Sequence, residues 1–80
     1  MKLDIYLKAV QKLQAKAINR RDIYLFEIET RHHEDGETSL GVTTKTMEGE
    51  KFDNHTFYTF WGQEKNDAVL AKLTALMEGN

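Results

Sequence analysis

The sequence contains no cysteine and no proline. Without cysteine there is no disulfide, no thiolate nucleophile and no cysteine-based zinc site, and a small secreted domain usually needs the first of these. Glycine is sparse and scattered, five in eighty residues, so no glycine-rich phosphate loop is present. Long apolar runs are missing too, and nothing approaches the roughly 20 residues that a membrane-spanning helix requires. The first residues mix Lys2, Asp4, Lys8 and Lys12 with apolar ones, unlike a secretory signal. The expectation is a cytoplasmic chain with no membrane association.

What is present suits one small α+β domain over residues 1–80. Hydrophobic residues make up 40% and charged residues 30%, a balance of folded rather than disordered chains. A chain this short buries only about 60% of the surface its unfolded form exposes. That leaves little room for both a core and a deep substrate cleft, so the expectation is a non-enzyme without a cofactor. The net charge of −2 is uneven: residues 1–21 sum to +5 and residues 22–80 to −7. The basic segment therefore suits an anionic partner or the acidic remainder of its own chain.

Leu3, Tyr6, Leu7, Val10, Leu13 and Ala17 recur with helical spacing and predict an amphipathic helix over 3–18. From Ile23 the period becomes two. Tyr24, Phe26, Ile28 and Thr30 share one side of a strand, with Leu25, Glu27 and Glu29 on the other. A second strand, 38–47, sets Leu40, Val42, Thr44 and Thr46 against Ser39, Gly41, Thr43 and Lys45. Asp35-Gly36 resembles a two-residue hairpin turn, but that loop would set the apolar side of one strand against the polar side of the next. A three-residue loop, Glu34-Asp35-Gly36, pairs Thr30 with Leu40 and Ile28 with Val42, and puts Gly36 in the left-handed position. After a turn near Glu48-Gly49-Glu50 comes a third strand, 52–61. Gly62 ends it, and Val69, Leu70, Leu73, Leu76 and Met77 stripe a last helix that Gly79 suits as a stop. The predicted order is α-β-β-β-α: a three-stranded antiparallel meander with both helices on one face.

The third strand carries four of the chain's eight aromatics, Phe57, Tyr58, Phe60 and Trp61, and alternation forbids them a single core. A three-residue turn before the strand sends Phe52, Tyr58 and Phe60 inward. A two-residue Glu48-Gly49 turn reverses this and sends Phe57 and Trp61 inward. With the first register, the uncovered face shows Leu25, Thr43, Phe57, Thr59 and Trp61, a protein-binding surface of large rings on a threonine-rich sheet. Both sheet edges are further places where a partner or a second copy could pair.

The other candidates carry less. His32 and His33 close the first strand while His55 opens the third, too far apart for a shared metal site. Ser39 is the only serine, and His33 falls diagonally from it on the open face, without the orienting group and oxyanion donors a nucleophile needs. Lys8, Lys12, Lys16 and Arg20 recur every four residues along the first helix, opposite its apolar stripe, in a row able to track phosphates.

The element order resembles the double-stranded RNA-binding domain, whose first helix faces a minor groove. The resemblance covers topology over most of the chain and implies nucleic-acid binding through that lysine row. The family's histidine-bearing loop is matched by His32 and His33, followed here by Glu34, Asp35 and Glu37. Where that family opens its last helix with lysines, this chain reads Gln63-Glu64-Lys65-Asn66-Asp67. Some small phage inhibitors of host defence systems also look like a helix, a three-stranded sheet and a further helix. The sequence thus supports a protein-binding adaptor or inhibitor first, self-associating dimeric forms included, and nucleic-acid binding second.

Overall fold

The computed structural model describes residues 2–47 and 52–78. Its elements are α1 (Asp4–Ala17), β1 (Ile23–His32), β2 (Thr38–Thr46), β3 (Asp53–Tyr58) and α2 (Gln63–Glu78), with the sheet ordered β1-β2-β3 and antiparallel throughout. The α+β architecture matches the sequence expectation. Gly79, the expected stop of α2, lies outside the described residues.

α1 forms because its apolar residues fall on one stripe, and Tyr6, Val10, Leu13 and Ala17 are the ones it buries. Its end tightens into i→i−3 bonds, Asn19 N to Lys16 O and Arg20 N to Ala17 O. Arg20 then turns back on the other helix. Its Nη1 donates to the carbonyls of Leu76 and Met77 at 3.0 and 2.5 Å, satisfying groups the end of α2 leaves open. At the opposite end, the Tyr6 hydroxyl donates to Asp67 Oδ1 at 2.7 Å. Burial and this carboxylate push the Tyr6 phenol up to about 12. The two contacts fix α1 and α2 side by side and parallel.

The β1–β2 hairpin has the three-residue loop. Gly36 sits at φ +88°, His33 N donates to Glu37 O at 2.8 Å, and Thr30, Ile28 and Phe26 pair with Leu40, Val42 and Thr44. One departure lies at the start of β1. The register slips between Ile23 and Leu25, so a bulge at Tyr24 buries Ile23 instead and leaves Tyr24 57% exposed. The expectation that Tyr24 faces the core is thereby corrected.

β3 pairs Leu40 with Phe57, Val42 with His55 and Ser39 with Tyr58. Phe57, not Tyr58, therefore enters the core, where it is fully buried and its ring lies 5.3 Å from that of Tyr6. This is the register a two-residue Glu48-Gly49 turn would set; the turn itself lies outside the described residues. Placing Phe57 on the open face, with Phe52, Tyr58 and Phe60 inside, is therefore wrong: Phe52 and Phe60 are 56% and 64% exposed. β3 is also shorter than expected. It ends at Tyr58, where Thr59 N donates to Thr38 O and the chain turns toward α2.

The core lies between the sheet's inner face and the two helices. Tyr6, Val10, Leu40, Val42, Phe57 and Leu73 are its most deeply buried hydrophobic side chains among the described residues, with Thr44 and Asn66 buried beside them.

Candidate interaction face

Both edges of the sheet are blunted. On β1, the Gln14 side chain donates to Phe26 O at 3.0 Å, and the bulge and the charged Glu27, Glu29 and Arg31 discourage further pairing. On β3, the fully buried Asn66 of α2 imitates a neighbouring strand. Its Oδ1 accepts from Tyr58 N at 3.2 Å and its Nδ2 donates to Tyr58 O at 3.0 Å. Nothing in the sequence pattern pointed to Asn66, because a buried asparagine in a helix reads as an ordinary polar position.

The uncovered face of the sheet is built from alternate residues: Leu25, Glu27, Glu29 and Arg31 of β1, Ser39, Gly41, Thr43 and Lys45 of β2, and Asn54, Thr56 and Tyr58 of β3. Aromatic groups stand at both ends. At one, Lys45 Nζ lies 5.7 Å from the Tyr24 ring centre and 4.8 Å from that of Phe52, a cation held between two exposed rings. At the other, the Tyr58 ring lies 4.8 Å from Phe60 and 4.6 Å from Trp61, and Lys65 Nζ sits 5.8 Å above Trp61. Of the residues expected here, Leu25, Thr43 and Trp61 are half-buried on or beside this face. Thr59 lies in the turn after β3, where its hydroxyl accepts from Thr38 N at 2.9 Å and donates to the Glu37 carboxylate. Phe57 is on the other side of the sheet. Tyr24, Phe52, Tyr58 and Phe60 take its place: the bulge turns Tyr24 outward, and the β3 register is the one that the alternative two-residue Glu48-Gly49 turn gives.

Between the two aromatic ends lies a hollow of about 220 Å³, bordered by Glu29, Arg31, His33, Ser39, Thr43, Asn54, Thr56 and Tyr58. Its floor is Gly41, whose missing side chain opens it. Arg31 Nε donates to Glu29 Oε1 at 2.7 Å, and the Thr43 hydroxyl donates to Asn54 Oδ1 at 3.1 Å. His33 Nε2 lies 3.2 Å from Ser39 Oγ, so the diagonal pair expected from the sequence does form, at the rim of this shallow hollow.

The cationic row is shorter than the spacing suggested. Lys8, Lys12 and Lys16 are exposed along α1. Arg20 is not part of a phosphate-tracking row: besides the α2 carbonyls it holds Asp22, whose carboxyl it keeps below the usual range. Among the described residues, no three His, Asp or Glu side chains converge as a metal site, and no helix is long and apolar enough to cross a membrane.

His55 faces inward beneath α2, opposite Val42. Its Nε2 is shut off from solvent without a hydrogen-bond partner among the described residues, as is Thr44 Oγ1 nearby. Burial lowers its proton affinity, Asp53 opposes this, and the Lys72 charge adds to it. Its free value is 6.5. The unfolded chain therefore takes up the proton first as pH falls, and stability that is full above about 6.5 declines below it. Urea midpoints at pH 7.5 and 5.5 should show this loss, and His55→Gln should flatten the dependence across that interval.

No family model, no curated protein and no solved structure matches this chain.

Proposed function

We propose that this chain is a small non-enzymatic binding module that docks a segment of another protein on its uncovered sheet face, as an adaptor or inhibitor does. The observation that carries the reading is the pair of aromatic groups at the two ends of that face, the exposed Tyr24 with Phe52 and the exposed Phe60 with the half-buried Tyr58 and Trp61, on a sheet whose edges are both blunted. Rings of this kind dominate binding energy where they are desolvated by a partner. Three strands and about six residues of length present roughly 300 Å². A standard interface takes about 800 Å² from each partner, so the face suits a segment rather than a second globular copy.

The test is site-specific photo-cross-linking in the host cell, with the reactive residue at Thr56 on the face and, separately, at Lys12 on α1. The expected result is a protein adduct from Thr56 alone. Its affinity, measured with that purified protein, should weaken about tenfold or more in both Trp61→Ala and Tyr24→Ala, as for interface anchors. Adducts from Lys12 alone, or to nucleic acid, would overturn the reading. A Thr56 adduct to a second copy, with mass rising with concentration, would replace the foreign partner by self-association.

A further inference from the structure

Resting on that docking reading, we infer that the segment on the uncovered face is an amphipathic α-helix of another protein, about four turns long, lying along β2. Backbone hydrogen bonding separates it from an extended segment. An added strand gains its affinity from a ladder, and ladders form at sheet edges. Here Asn66 occupies both backbone groups of Tyr58 on β3, and Gln14 takes Phe26 O on β1. An extended segment laid on the face instead would find no ladder for its own N–H and C=O groups, while the rings beneath it exclude water. A helix makes those bonds within itself and needs only side-chain contact.

The dimensions agree. β2 is the middle strand, and from Lys45 at one aromatic end to Ser39 beside the other is six residues, about 20 Å of strand. A helix covers that length in about 13 residues. The outer strands lie about 10 Å apart, so the face takes one helix, about 10–12 Å across, and no second. Its area is less than half of what a globular partner needs, which leaves a single element as the occupant. The rings at each end take an apolar anchor from that helix. Midway lies Gly41, where the absence of a side chain lets the helix backbone come close. The two anchors are thus about 11–14 residues apart on one side of the helix, against about six in an extended segment. A Cβ at Gly41 would meet only Glu29 O, at 3.8 Å, which is ordinary contact. Gly41→Leu therefore leaves the fold intact and obstructs the guest.

The experiment places a photoreactive residue at Leu25 and, in a second preparation, at Arg31. These positions are six residues apart along β1 on this face. Mass spectrometry then maps the residues captured in the host cell. Both adducts should fall in one segment of one protein, with the captured residues about 13 apart. A synthetic peptide of that segment should bind the full chain, and proline at its centre should weaken binding about tenfold or more. Gly41→Leu should weaken it about tenfold or more with the urea midpoint unchanged. Captured residues about six apart, a proline peptide that binds as well as its parent, or unchanged binding to Gly41→Leu would overturn the helix and leave the docking face standing. Adducts within a second copy of this chain would overturn the foreign helix. No adduct at either position would sink the docking reading and this inference together.

Discussion

Phe57→Ala is expected to destabilise the fold by about 3–5 kcal/mol, the range for deleting a buried aromatic ring. Phe57 is fully buried on the inner face of β3, opposite Leu40 and against the Tyr6 ring. Alanine leaves a void between sheet and helices that neither a β-ladder nor two anchored helices can collapse to fill. Small domains have only about 5–15 kcal/mol of stability in total, so much of the variant should be unfolded at moderate temperature. The control is its neighbour. Tyr58 lies on the open face, and Tyr58→Ala should cost clearly less. Urea unfolding of the two variants reads the register of β3 directly. A neutral Phe57→Ala beside a severe Tyr58→Ala would mean that the strand is shifted by one residue.

Asn66→Ala is the second large effect. The asparagine amide serves both backbone groups of Tyr58, and truncation leaves that N–H and C=O without their partners, at about 1–3 kcal/mol for each group that stays dry. Asn66→Asp is worse near neutral pH. The carboxylate can still accept from Tyr58 N, but its second oxygen faces the Tyr58 carbonyl, and the charge is buried. Acidification should partly rescue the aspartate variant by restoring a donor, and should not rescue the alanine variant. Hydrogen exchange of the Tyr58 amide provides a local readout: protection should fall in both variants more than at Val42. Unchanged protection at Tyr58 would remove the strand-mimic role from Asn66.

Much of the fold was legible because single residues forced it. Gly36 and the need to match apolar parity fixed the β1–β2 hairpin, and the 3.6-residue stripes fixed both helices. The site was less legible, for an equally local reason. β3 carries rings at both parities, so alternation alone offers no preferred face, and its register depends on the preceding turn. The bulge at Tyr24 adds one residue that no periodicity reveals, and it moves that ring from core to surface. Arg20 shows the same limit in another form. Its spacing placed it in a cationic row, whereas its partners are carbonyls fifty-six and fifty-seven positions away, Leu76 and Met77. Helical spacing carries no record of such distant acceptors.

The pairing of the two helices also sets a timetable. Tyr6 with Asp67 and Arg20 with Leu76 and Met77 join the first element of the chain to the last. Contacts this distant in sequence require most of the loop-closure entropy to be spent before they form, and they slow folding. During synthesis, α1 and the meander leave the ribosome first, and the inner sheet face stays half-covered until α2 emerges. The core of this domain therefore closes only after translation of its final helix, and a stalled or shortened chain exposes Phe57 and Leu40 to the cell rather than a smaller native fold.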